Sequence, residues 1–435
     1  MIPILNWPRD ARRVESLLAG LRLDPVQTAL GGGQRARMIG AVTRILADVA
    51  RRGDAAVVRQ ARLFDDPKFT APQLRVPTSE MRRSMQRVPP VQLAALRKAI
   101  AQVRQYQSHF LPKDPKPLRR DGVELSMRFT PLDSVGLCVP GGKAAYPSSV
   151  VMLAVPAQVA GVQRIVVCTP ASPYGRSDLV MAACYELGLT DVFRAGGPAA
   201  IGAMAFGTQT IPKVDKIVGP GNAYVQLAKR AVAGAVGVDG FLGPSEILTL
   251  ADDSARPAFI AADMLAQAEH DPGSSFLLTT SAALAKEVCR QIDEQINTLS
   301  RRAVIEKALS QSSAIIVAPS MNALLELANR FAAEHVNLQL RHPAAALARL
   351  HHAGAIFVGP YSPVAAGDYL AGPSHCLPTN TTARFSSGIS VLEFLKHSSV
   401  VTYSQSALRK DAAAIQTIAA AEHLDAHAAS VRIRV

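Results

Sequence analysis

The chain has 435 residues, 49% of them hydrophobic and 5% aromatic, with a formal net charge of +13. That length exceeds one ordinary core and predicts at least two domains, while no run approaches the roughly 18 apolar residues that a membrane span needs. The N-terminus MIPILNWPRDARRVE lacks the pattern of a secretory signal, and five scattered cysteines without a Cys-x-x-Cys predict reduced thiols, a cytoplasmic setting and no cysteine-ligated zinc. Lys and Arg are spread along the chain with no basic-aromatic platform, so the charge implies a solvated arginine-rich surface or a field favouring anionic ligands, not nucleic acid.

Residues 1–26 read as a helical arm, with helical spacing from Asp10 to Leu23. After a Gly31–Gly33 break, helices are expected over Ala36–Gly53, with Ile39, Val42, Ile45 and Leu46 on one face, and over Val91–His109. Val123–Phe129 alternates like a strand. From Val135 strand, turn and helix alternate: strands 135–139, 164–168, 191–194 and 216–218, with helices 150–159, 178–187, 200–206 and 223–235 between or after them. The rhythm repeats after residue 246, with strands 247–250, 276–278, 314–317 and 355–358 and helices to His270, 282–299 and 324–331. Alternation of this kind predicts parallel sheets covered by helices, and two such runs suggest two similar α/β domains. The tail from Ser387 reads as helical, and Ser430–Val435 alternates like a terminal strand in need of a partner.

The stretch Gly243–Gly273 concentrates the chemistry. A buried strand Ile247–Ala251 leads to a helix carrying Ile260, Met264 and Gln267 on one stripe, ending at Asp271-Pro272-Gly273. An amide on an apolar stripe needs a partner, and His270 shares that face. The pair fits either a last-turn histidine interacting with the helix dipole or half of a metal site with oxygen and nitrogen donors. Gly219-Pro220-Gly221-Asn222 follows a strand and opens a helix, which suits an anion but also a plain turn, and Tyr224 stands where the dinucleotide fingerprint has glycine. Glu334 and His335 are adjacent, so joint action requires an irregular backbone. Asp368 and His375 lie in a Gly/Pro-rich loop after a strand, and Glu422 and His427 flank a turn in the tail.

The segments GPSEILTLAD, LAQAEHDPGS, AAEHVNLQLR, AGAIFVGPYSPVAAGDYLAGPSHCLPT, ARFSSGISV and AEHLDAHAASVRIRV together resemble histidinol dehydrogenase, in that family's order and near-regular spacing, from Arg51 to the C-terminus. The resemblance implies two incomplete Rossmann-like domains with small terminal segments that exchange in a homodimer. The corresponding division is 1–26 as arm, 27–137 with 246–386 as the first α/β domain, 138–245 as the second, on the nucleotide side, and 387–435 as a swapped tail. It implies zinc held by Gln267, His270, Asp368 and His427, a catalytic pair Glu334 and His335, and an NAD contact at Asn222. Substrate L-histidinol would be held by Ser245, His375 and Glu422 together with the zinc ligands and His335, with Glu422 and His427 coming from the other subunit. The implied reaction is L-histidinol to L-histidine via L-histidinal, by two hydride transfers to NAD. Where the family usually has a tyrosine and a glutamine against the dinucleotide, this chain has Cys138 and Ala199. That difference keeps two other readings open: a paralogue oxidising another polar alcohol, or a zinc-binding relic impaired in its cofactor.

Overall fold

The computed structural model describes residues 2–24, 31, 33–142, 144–240, 242–243 and 245–435. Gly32 of the expected break, residues 25–30 across the expected end of the arm, and Pro244 beside the candidate site lie outside them.

Two parallel sheets organise the chain. The smaller runs Asp191–Arg194, Arg164–Thr169, Ser134–Cys138, Lys216–Val218, Gly237–Val238. Numbered by sequence within the sheet, that is 3-2-1-4-5. The larger runs Ile4–Asn6, Ala314–Val317, Gly273–Thr279, Ser245–Ala251, His335–Gln339, Ala355–Val358. Without its first edge strand, it has the same 3-2-1-4-5 order. All neighbours in both sheets are parallel, which is the doubly wound Rossmann arrangement. Central strands such as Ser134–Cys138 and Gly273–Thr279 are buried along their whole length, because helices cover both faces. They therefore read as continuous apolar runs, not as alternating ones. The expectation of two similar α/β units holds.

Each sheet has a core on either face. Val135, Leu137, Val150 and Met181 pack on one side of the smaller sheet, and Val166, Ile201, Met204 and Ile217 on the other. Phe276, Phe331 and Val336 fill one side of the larger sheet; Ile260, Met264, Leu277 and Ile315 fill the other. The helices Gly33–Arg52, Asp54–Phe64, Thr78–Arg87 and Pro90–His109 insert Val42, Leu46, Val57, Met81 and Val103 into the two smaller-sheet cores. The sequence division grouped 27–137 with the larger sheet, so we infer a boundary in which 33–109 belongs with the smaller.

Both termini differ from expectation. The arm begins with strand Ile4–Asn6, which pairs Ile4 with Ile315 at the sheet edge, before the helix Ala11–Leu21. Pro3 and Pro8 bracket this apolar run too closely for a helix. The C-terminus forms no strand: Asp425–Arg432 is a helix that takes in Ser430, Val431 and Arg432, because the alanines at 426, 428 and 429 extend helical structure into the alternating residues. The tail's strand lies earlier, at Leu395–Tyr403, in a ribbon with Val123–Pro131 and Leu118–Arg120, and leads to the helix Gln405–Ala421. Among the described residues, no helix is long and apolar enough to cross a membrane.

Candidate active site

The site forms at the amino ends of two adjacent strands of the larger sheet, where Ser245 and His335 are first residues. The helix Met321–Phe331 ends on Ala332 in the left-handed region (φ 47°, ψ 51°). This is the irregular backbone that lets adjacent side chains act together. Glu334 and His335 both close on the backbone of Glu246. The Glu334 carboxylate accepts from the Glu246 N–H at 2.8 Å, and His335 Nδ1 lies 3.1 Å from the Glu246 carbonyl. A carbonyl only accepts, so Nδ1 carries a proton there. Gly354 is required beside them: a Cβ at that position would stand 2.6 Å from the Glu334 carbonyl oxygen.

Gln267 is the penultimate residue of the helix Pro257–Ala268 and is buried. Its amide nitrogen donates to Ser245 Oγ, which donates to Glu334 at 2.6 Å. This line spends the nitrogen and leaves the amide oxygen for another partner. His270 does not share the helix face, because the helix stops at Ala268; the histidine follows in a tight turn onto the strand Gly273–Thr279. Gly273 makes the turn possible, since a Cβ there would sit 2.5 Å from the Gln267 carbonyl oxygen.

Asp368 lies in the short helix Val364–Tyr369, not in an open loop. Its Oδ1 is 3.7 Å from His335 Nε2. Burial raises the Asp368 carboxyl, but the neighbouring His335, then the charges of His375 and His270, bring it below the usual range. Burial also pushes the His335 imidazole down, but Glu334 and then Asp368 outweigh it and lift the group to about 10. His335 Nε2 is buried without a hydrogen-bond partner. His375 spans the two domains: Nδ1 is 2.9 Å from the Asp368 carbonyl oxygen and Nε2 is 3.1 Å from Ser149 Oγ, on a smaller-sheet helix. Burial holds His375 below its ordinary value despite Asp368.

The structure thus brings together Ser245, Gln267, His270, Glu334, His335, Asp368 and His375. Glu422 and His427 are exposed on the tail. Among the described residues of one chain, no three His, Cys, Asp or Glu side chains gather as a metal-binding group. The donors present do fit a divalent cation: the Gln267 amide oxygen, the buried Asp368 carboxylate and the His270 imidazole offer the oxygen and nitrogen donors that zinc accepts.

Asn222 lies at the carboxyl end of the smaller sheet, where its side chain caps the helix Ala223–Val232 by accepting from Tyr224 N and Val225 N at 3.0 and 3.2 Å. Cys138 and Gly219 meet at the switch between strands 1 and 4 of this sheet; Gly219 has φ 117°, and a Cβ there would lie 2.4 Å from the Cys138 carbonyl oxygen. The Gly219 N–H donates to Asp239 and its carbonyl accepts from Lys229, themselves a buried ion pair. Cys138 and Ala199 both lie in the core.

Sequence reasoning missed Ser149, Glu246 and Asp263. Glu246 opens an apolar strand, and Asp263 stands between Ile260 and Met264 on the same helix as Gln267. A charge on an apolar stripe was the available signal.

A sequence model of the histidinol dehydrogenase family matches residues 32–435. The histidinol dehydrogenase of Thermosynechococcus vestitus is 46% identical over 405 residues, 93% of this chain and 94% of its own. That of Gluconobacter oxydans is 43% identical over 426 residues, 98% and 99% of the two chains. The crystal structure of histidinol dehydrogenase from Elizabethkingia anophelis superposes with a TM-score of 0.92 at 30% identity, covering 100% of this chain and 98% of that one. With its doubly wound pair of sheets and the cluster on the larger one, the chain belongs to the histidinol dehydrogenase family of oxidoreductases.

Proposed function

We propose that this chain oxidises L-histidinol through L-histidinal to L-histidine, passing two hydrides in succession to NAD. The observation that carries the reading is His335 Nε2, buried and unpartnered beside Asp368, with Nδ1 fixed on a backbone carbonyl. With Nδ1 so held, Nε2 is the nitrogen through which this imidazole would exchange a proton with a substrate. Gln267, His270 and Asp368, with His427 of a second copy, would hold a zinc ion. When bound, zinc would supply a Lewis acid that orients an imidazole and amine substrate and engages the Asp368 charge, easing its pull on the His335 proton.

In the first half-reaction, His335 Nε2 takes the hydroxyl proton while carbon gives its hydride to the nicotinamide. The aldehyde then adds water across its carbonyl. Glu334, held by Ser245 and the Glu246 N–H, orients that water; His335 releases its first proton to solvent before it accepts the second from the hydrate as the second hydride leaves. His375, which burial holds below its ordinary value, lies at the domain junction, where it lines the substrate space. The nucleotide would lie at the carboxyl end of the smaller sheet, with its phosphates toward the helix opened by Asn222. We further propose a homodimer in which Glu422 and His427 complete the partner's site, since neither meets the cluster of its own chain.

The buried thiol of Cys138 and methyl of Ala199 offer a nucleotide neither an aromatic face nor an amide. This favours a weaker grip on NAD and keeps in view a paralogue for another alcohol. Purified protein with zinc, NAD and L-histidinol, followed by NADH absorbance, tests both readings. Two NADH per histidinol support the proposal. Turnover only on a different amino alcohol supports the paralogue, and no hydride transfer from any alcohol sinks both.

A further inference from the structure

One layer beneath the site lies a second polar cluster that the reaction does not use. Asp263 is only 9% exposed and sits among Ile260, Met264 and the sheet. Asn337 Nδ2 donates to its carboxylate at 2.8 Å, and the Val364 N–H points to the same group. Gln339 Nε2 donates to Asn337 Oδ1 at 2.8 Å and to the Gly359 carbonyl at 3.2 Å.

The placement of these partners is regular. Asp263 precedes Gln267 by four residues on one helix, so the two share a face. Asn337 follows His335 by two residues on one strand and points the same way. Val364 precedes Asp368 by four residues and opens its helix. The carboxylate on the helix of Gln267 therefore ties to it, one repeat from the site, the strand of His335 and the helix of Asp368. Burial lifts the Asp263 carboxyl to about 6, against the pull of the Val364 N–H and Asn337. A buried carboxylate is costly for stability, and a well-packed apolar side chain often serves a core as well or better.

We propose that Asp263 is a positioning residue for the metal site: it fixes the spacing of Gln267, Asp368 and His335 by tying their three elements together. This rests on the zinc reading above. Zinc–ligand distances hold within a few tenths of an ångström, and supporting residues behind ligands typically contribute about 10–100-fold to metal affinity.

The test uses Co²⁺ as the probe on full-length, metal-stripped protein. Its affinity is measured by competition with a chromophoric chelator, its coordination by the visible ligand-field bands, and folding by the melting temperature of the metal-free form. Asp263→Asn and Asp263→Ala are expected to lose about 10–100-fold in Co²⁺ affinity with altered bands, while metal-free Asp263→Asn melts no lower than wild type. The double variant Asp263→Asn with Asn337→Asp, which returns a carboxylate to the cluster from the strand, is expected to regain affinity. Wild-type affinity and bands in both single variants would overturn the inference, as would an affinity loss in Asp263→Asn accompanied by a matching fall in melting temperature. A wild-type protein that takes up no Co²⁺ would overturn the zinc reading as well, which separates the two failures.

Discussion

The two parallel sheets share one strand order and carry their candidate sites at opposite ends. In the smaller sheet the open switch point is at the carboxyl ends, where Gly219 lies against the Cys138 carbonyl and Asn222 starts a helix. In the larger sheet that end is closed: Asp252 N donates to the Gln339 carbonyl at 3.3 Å, and its carboxylate accepts from Arg341 N at 2.9 Å. The polar cluster stands instead at the amino ends, beside the end of the helix that carries Gln267. Helix polarity explains the choice. A helix N-terminus favours an anion and a C-terminus favours a cation, so one fold, read from its two ends, suits the phosphates of a nucleotide and a divalent metal. Variants on the larger sheet should therefore act on metal and turnover, and those on the smaller sheet on nucleotide affinity.

The largest effect expected is that of His335→Asn. Loss of the proton acceptor should lower kcat by about 10²–10⁴-fold while zinc, read by elemental analysis, stays bound. Loss of the metal from this variant would break the division, because His335 would then belong to the ligand set. On the smaller sheet, Lys229→Met leaves the Asp239 carboxylate buried without its cation, a change that costs about 3–5 kcal/mol. Burial raises Asp239, and Lys229 is the first influence holding it down. The variant should melt earlier and show a higher KM for NAD, with kcat at saturating NAD retained. Replacing Asp239 by Leu in the same chain should recover stability and not the KM, since the clamp on Gly219 is then gone.

The same comparison shows what the chain discloses before folding. The strand–helix rhythm from Val135 onward is legible because strands buried on both faces are unbroken apolar runs. The helix Thr78–Arg87 is not: among TSEMRRSMQR only Met81 and Met85 are apolar, too few for a periodic stripe. The strand His335–Gln339 is hidden for another reason. It mixes His335, Asn337 and Gln339 on one face with Val336 and Leu338 on the other, so a polar layer inside the protein looks like a loop. The resemblance singles out Ser245, Gln267, His270, Glu334, His335, Asp368 and His375, but their convergence is not legible in the chain, because it depends on the left-handed Ala332 and on the backbone of Glu246. The tail is misread at its end, where alternation of Val, Arg and Ile over a few residues is too short to distinguish a strand from the last turn of a helix.

Glu246 gives the larger sheet a pH signature. Burial, and then Glu334, lift its carboxyl from 4.5 to about 8, against the pull of the Asn380 N–H. The folded state thus binds this proton more tightly than the unfolded chain. Its contribution to stability is complete below about 4.5 and is lost as pH rises through about 8. Over two pH units in that window the loss is about 3 kcal/mol. Glu246→Gln cannot ionise, so its unfolding free energy from denaturant titration should decline less than wild type between pH 6 and 8. Parallel curves for the two proteins would show that Glu246 does not hold its proton in the folded state.

The smallest effect separates folding from binding on the smaller sheet. Asn222→Ala removes the acceptor for Tyr224 N and Val225 N, and loss of such a cap costs about 1 kcal/mol. A higher KM for NAD in that variant has two readings, a frayed helix or a lost ligand contact. Asn222→Asp distinguishes them. Aspartate caps as well as asparagine, so the melting temperature should stay at the wild-type value. Its negative charge, however, would face the nucleotide phosphates at the same helix end, so the KM for NAD should rise and fall back toward wild type with added salt. If Asn222→Asp keeps both the melting temperature and the KM, no phosphate lies near this helix terminus, and the proposed division of labour between the two sheets loses its nucleotide half.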